Sequence, residues 1–173
     1  MKFLLIYITT ALLFLFPYSV SAASDYVLPY PSFMPGSKFY TVHLIWENVM
    51  KYWHFGSFSQ FHYNLTLSDK YLVEAKTLFE YKQYFLGYKA LQKSDTYFLN
   101  IPSLLSKAKK ENKNIVQKNN MLKSAAVRHI EVLEEVRMIA PEEFLWQEEK
   151  RDAITLRLSQ SVDKSIQIRK SVK

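Results

Sequence analysis

The chain of 173 residues contains no cysteine. That excludes disulfide staples, thiolate metal sites and cysteine nucleophiles, and leaves stability to packing alone. Glycine occurs only three times and proline six times, three of these between Pro29 and Pro35. A chain so poor in turn residues predicts long helices joined by few connections. No Gly-rich phosphate loop and no basic cluster with stacking aromatics is present, so nucleic acid is not an expected partner.

What is there begins at the N-terminus. Met1-Lys2 is a short positive start, Phe3 to Phe16 carries no charge, and Val20-Ser21-Ala22 places small residues at the exit. This is the pattern of a secretory signal peptide over residues 1–23, with cleavage near Ala22. An uncleaved anchor is the competing reading, since about 20 apolar residues span a bilayer. Pro17, Ser19, Ser21 and the missing basic outer flank argue against it, so no stable membrane span is expected after cleavage. The expected address is secreted or periplasmic. The remaining 150 residues suit one domain with its own core. Formal charge is +7, or +6 without Lys2. A mildly basic surface favours an envelope protein or an anionic envelope polymer as partner.

Pro29, Pro31 and Pro35 predict an extended strap over 24–36, because each fixes φ and removes a donor. Leu28, Tyr30, Phe33 and Met34 would lay it against the body. Ser37 is placed to cap a first helix whose apolar face is Val42, Ile45, Trp46, Val49, Met50 and Trp53. The second helix, from about Ser59 to Glu80, has a stripe of Phe61, Leu65, Leu72, Ala75 and Phe79 that includes Asp69. The third starts near Tyr84 and carries Tyr84, Tyr88, Leu91 and Phe98 with Asp95 on the same face; Pro102 should kink or end it. An Asn-rich connection over 111–114 precedes a fourth helix with a seam of Ile115, Leu122, Ala126, His129, Leu133 and Val136. Pro141 reads as a helix restart, giving a peripheral last helix over 141–173 with a thin stripe of Ile154, Leu158, Val162 and Ile166. The fold expected is an all-α antiparallel bundle of about five helices, with the bundle proper over 37–140.

Leu28-Pro29-Tyr30-Pro31, then Pro35 and Tyr40, resemble the opening of a bacterial secreted helical family of unknown function. Its pattern is Leu-Pro-Tyr-Pro-Gly, a further Pro, and a Tyr leading into a helix. Ser68-Asp69-Lys70-Tyr71-Leu72-x-Glu74-Ala75 is similar to that family's Ala-Asp-Lys-Arg-Leu-x-Glu-Ala run. Leu91-x-Lys93-Ser94-Asp95-x-Tyr97-Phe98 and Arg128-His129-x-Glu131-Val132-Leu133 follow in the same order, so the resemblance covers Leu28 to Val136. Ser32, His43 and Tyr71 depart from it, where the family prefers Gly, Lys and Arg. The resemblance implies an envelope-facing helical unit and no particular activity.

Three polar residues fall inside apolar stripes: Asp69, Asp95 and His129. A buried carboxylate must be paired or protonated. The expectation is a structural polar layer in which Asp69 or Asp95 accepts from His129, through Ser94 or a tyrosine hydroxyl if not directly, and which fixes helix register. No nucleophile or oxyanion loop accompanies these residues, so no catalytic residue is assigned and no enzyme or cofactor is expected. His43 and Glu47, four apart on one helix, with His54 and His62 beyond, are weak metal candidates. The function expected is a non-enzymatic interaction module, with a periplasmic metal or small-ligand sensor as the alternative.

Overall fold

A computed structural model describes residues 25–31, 34–149 and 152–172. The signal peptide expected over 1–23, and Ser32 and Phe33 of the strap, lie outside them. Among the described residues there are five helices: α1 Tyr40–Met50, α2 Ser57–Glu80, α3 Tyr84–Lys110, α4 Val116–Ile139 and α5 Leu158–Lys170. Two short strands, β1 Glu143–Trp146 and β2 Ile154–Arg157, pair antiparallel ahead of α5. The fold is an all-α bundle with a small hairpin.

α2 and α3 form an antiparallel pair around the turn at Tyr81 to Gln83, as contacts from Ser68 to Ser94 and from Ser57 to Glu111 show. Gly87 leaves room for the Phe79 ring between the two helices, because a Cβ there would lie 3.0 Å from it. Both helices end in a left-handed residue, Lys82 after α2 and Asn112 after α3. In each case the next N–H reaches back to a carbonyl of the last turn, Gln83 to Leu78 and Lys113 to Ala108. This is the Schellman arrangement that satisfies otherwise orphaned carbonyls. Pro102 does not end α3, which runs on to Lys110. Ile101, Leu105 and Ala108 are buried on either side of it, and that packing holds the helix together across the missing backbone bond.

α2 packs on α3 and α4, and α5 packs on α3 and α4, so these four helices close a ring around the core. One end of the core holds Leu72, Phe79, Leu91, Leu133, Val136, Leu158, Val162 and Ile166. The other holds Phe61, Leu65, Phe98, Ile101, Leu122 and Ala126. The strap lies against both: Leu28 and Met34 pack on the first cluster and Tyr26 on the second, while Tyr30 stays exposed.

Two expectations are corrected. The segment after Pro141 does not restart as a helix. The residue before a proline is pushed to extended backbone, and Ala140 has ψ 131. Phe144, Trp146, Ile154 and Thr155 then have the β-branched and aromatic character of strands. Phe144 meets the Tyr84 ring at 5.3 Å, and Trp146 stacks on Phe85 at 3.9 Å. The last helix is not peripheral either. Leu158 and Val162 are fully buried, so α5 is the fourth wall of the bundle.

The opposite correction applies to α1. None of its residues is buried, and Val42, Ile45, Trp46, Val49 and Trp53 face outward. Ser37 does not cap it; the N-cap is Phe39, whose N–H reaches the Ser37 hydroxyl at 3.4 Å.

Candidate functional site

The polar residues inside the bundle form two neighbouring groups that together span four helices and the strap. His129, on α4, is fully buried, and its Nε2–H donates to Oδ1 of Asp69 on α2 at 2.7 Å. The hydroxyl of Tyr26, from the strap, donates to Oδ2 of the same carboxylate at 2.6 Å. Burial first, and then the Asp69 charge, push the Tyr26 hydroxyl far above the usual phenol range, so it stays a donor. One carboxylate thus ties α4 and the strap to α2.

One residue back on each helix, α2 and α3 are joined by a pair of serines. Ser94 Oγ donates to the Ser68 carbonyl at 2.8 Å, and Ser68 Oγ donates to the Ser94 carbonyl at 3.1 Å. Small hydroxyls let the two backbones approach while satisfying each other. Beyond this pair lies the residue that sequence reasoning missed. Arg169, on α5, is fully buried, forms an ion pair with Asp95, and donates from Nη2 to Ser94 Oγ at 2.8 Å. Ser165 Oγ completes the group by donating to Asp95 Oδ2 at 2.7 Å. Burial pulls the Arg169 guanidinium down to about 9, against the Asp69 charge, which raises it; at neutral pH it remains a cation. The Phe98 ring stands between the two halves, 5.4 Å from the His129 ring and 4.9 Å from the Arg169 guanidinium carbon.

Asp69 and His129 therefore meet directly, whereas Asp95 bonds to Arg169 and Ser165 and not to His129. The signal for Arg169 was in the sequence. It falls three residues after Ile166 and continues the stripe from Leu158 and Val162, which placed a cation inside a buried face. His129 Nδ1 and Arg169 Nε are buried without a hydrogen-bond partner. A small cavity of about 100 Å³ lies beside Asp95, lined also by Tyr88, Lys164 and Ser165. The bonds of the two polar groups join side chains of four helices and the strap.

The four metal candidates do not converge. Among the described residues there is no group of three or more His, Asp or Glu that could hold a metal ion. His54 Nδ1 lies 2.9 Å from Ser59 Oγ. His62 Nε2 accepts from Lys118 at 2.7 Å, and burial together with that cation lowers the His62 pKa. Glu47 is taken up by the bundle: it forms an ion pair with Lys70 and accepts from the Tyr71 hydroxyl at 2.6 Å. Its main-chain carbonyl accepts from Tyr63 at 2.9 Å, a hydroxyl that burial pushes up to about 12.

Those contacts explain how α1 sits. Tyr40 donates to Glu74 at 2.9 Å, Glu47 meets Lys70 and Tyr71, and Met50 packs on Tyr63, Leu67 and Tyr71. The outer side of α2 offers a carboxylate, an ammonium and phenols, so α1 docks with the face that carries Glu47. Its apolar face is left outside: Ile45 is 60 % exposed and Trp53 73 %. Between α1 and α3 an open cleft of about 540 Å³ remains, lined by Asn48, Tyr71, Lys89, Lys93 and Tyr97 among others. Among the described residues no helix is long and apolar enough to cross a membrane.

Comparison with protein-family models, with curated proteins and with solved structures gives no match. The likeness to the secreted helical family therefore rests on the residues quoted for it.

Proposed function

We propose that the protein is a non-enzymatic interaction module that works outside the cytoplasm and makes its contact through the outer face of α1. The observation that carries this reading is the run of large apolar side chains held in water by a latch on the opposite side. Soluble proteins rarely leave a contiguous apolar patch of this kind without a partner for it. Thr41, Val42, Ile45, Trp46, Asn48, Val49, Tyr52 and Trp53 make up that face, and none of them is charged. An anionic polymer would need cations there, so a protein surface is the better fit.

Burial of the Asp69–His129 pair supports the non-enzymatic part of the reading, because its bonded atoms all serve to hold helices together. The extracytoplasmic address is supported by the leader pattern of residues 1–23 and by the resemblance at Leu28 to Val136. Replacing Trp46 with a photo-cross-linking amino acid in the native cell tests the module. A covalent adduct from position 46, absent from a control at the exposed Lys107, is the expected result. Equal labelling at both positions would remove the reading.

A further inference from the structure

α3 turns toward α1 a polar stripe that carries no acid. Lys89, Gln92, Lys93, Thr96, Tyr97 and Asn100 follow one another at the spacing of one helix face, and the stripe runs on to Ser103. Asp95 is the one carboxylate of α3, and it is turned the other way, to Arg169 and Ser165. The facing side of α1 is Leu44, Glu47, Asn48 and Lys51, again three and four apart. Tyr40 and Glu47 fasten α1 to α2, through Glu74, Lys70 and Tyr71, and a gap remains toward α3. The open cleft of about 540 Å³ there continues into a second of about 420 Å³, because Asn48, Thr96 and Tyr97 line both. Each falls within the ~300–1,000 Å³ of ligand clefts. From Lys89 to Ser103 the groove follows about 21 Å of helix, at about 1.5 Å per residue.

The charge in this groove is one-sided. Lys51, Lys89 and Lys93 line it, and none of the three forms an ion pair among the described residues. Glu47 is the one carboxylate in the lining, and Lys70 and the Tyr71 hydroxyl already hold it. Glu74 feels the Lys93 charge from α2, but it is buried and lines neither cleft. Two of the cations rest on rings: Lys89 Nζ is 4.3 Å from the Phe85 centroid and Lys93 Nζ is 4.7 Å from that of Tyr71. Such contacts place an ammonium without neutralising it. Around the cations stand the exposed amides Asn48, Gln92 and Asn100, which both donate and accept.

We propose that this groove binds an acidic saccharide, a hydroxyl-rich body that carries carboxylate or phosphate. Lys89 and Lys93 take the acid group. The amides take the hydroxyls, which likewise both donate and accept. A peptide fits less well, because a bound strand needs a sheet edge and a bound helix an apolar groove, and this lining is polar over most of its length. The groove lies behind the apolar face of α1 and holds the cations that face lacks. It is a second site, and it does not depend on the first.

Isothermal titration of the full chain with tetragalacturonate tests this. Saturable binding with a Kd below about 1 mM is expected, and Lys89→Gln with Lys93→Gln should weaken it about tenfold or more. The pair K107Q/K109Q, further along the same helix and outside the groove, should leave it unchanged. Asn48→Asp, which puts a carboxylate on the opposite wall, should weaken it too, with far-UV circular dichroism as in the wild type. Should K89Q/K93Q fail to fold, N48D decides. Equal losses from the two lysine pairs would reduce the binding to net charge and overturn the site, and so would N48D binding like the wild type. Equal affinity for maltotetraose would overturn it in favour of a neutral sugar, and tighter binding of hexaglutamate in favour of an acidic peptide. Galacturonate or a glucose phosphate bound as tightly as the tetramer assigns the groove to a free sugar acid; weaker monomers assign it to a chain. Silence from all three acidic sugars overturns the proposal. Cross-linking at position 46 reads the other flank of α1, so neither result decides the other.

Discussion

Arg169 holds two faces of the bundle at once, through Asp95 on α3 and through Ser94 beside it. Removing only the guanidinium leaves a mostly buried carboxylate with Ser165 and the small cavity beside it but no counter-charge, and breaking one side of a fully buried pair costs about 3–5 kcal/mol, an upper bound here. Arg169→Ala should lose stability toward that bound in a urea melt. Replacing both partners, as in Arg169→Met with Asp95→Leu, should recover most of it, because the desolvation cost vanishes with the charges. A double variant as unstable as R169A would mean the pair is worth more than its desolvation.

Glu74 gives a second residue-scale test. Burial raises its pKa, only partly offset by the Tyr40 hydroxyl and the nearby lysines, and Oε2 has no hydrogen-bond partner. The folded protein then holds this proton to higher pH than the unfolded chain does. Folding takes up a proton, and stability from this site is full at low pH and erodes as pH climbs above the ordinary carboxylate range. Glu74→Gln keeps an acceptor for Tyr40 and cannot ionise. The variant's melting temperature should gain on the wild type between pH 4 and pH 7, and a constant gap would contradict the assignment. At this scale the sequence was readable where a polar residue interrupted an apolar stripe, as Asp69 and His129 do. It was not readable where bonding partners lie far apart along the chain, since the spacing within α3 does not say whether Asp95 meets α4 or α5.

Elements were legible by period but not by neighbour. The breaks at Tyr81 to Gln83 and at Glu111 to Asn114, and the seam of α4, follow from sequence spacing. α1 and α5 exchanged roles for a physical reason. The strongest apolar face in the chain belongs to α1, yet the docking ground beside it is polar, so its Glu47 side went inward. α5 has a thin stripe, but Leu158, Val162 and Ile166 fill the space between α3 and α4 and are buried almost completely. Loss of one such residue to alanine costs about 2–5 kcal/mol, and a domain holds only about 5–15 kcal/mol in all. Truncation after Ala140 should therefore abolish cooperative unfolding. By contrast, Leu133→Ala should cost about 2–5 kcal/mol and leave a cooperative transition. Urea melts followed by circular dichroism check both, and a truncated chain that still melts cooperatively would return α5 to the periphery.

For the molecule as a whole, a four-helix ring with its polar layer inside closes the two larger core clusters, and α1 adds Met50 to a third, smaller one. The helix is fastened to it by Tyr40, Glu47 and Met50 and gives its other side to solvent. If that side is covered by a second copy, folding and association are linked, because a partner that binds only the folded chain stabilises it by mass action. Each tenfold rise in protein concentration then adds about 1.4 kcal/mol per mole of dimer. The melting temperature of the wild type should then climb with concentration, while that of Ile45→Asp (I45D), which puts a charge on that side, should not. The contrast separates a dimer seam from an ordinary exposed helix, since an apolar face that merely tolerates water has a melting point indifferent to concentration. A wild-type curve as flat as that of I45D would leave the face of α1 to some other partner.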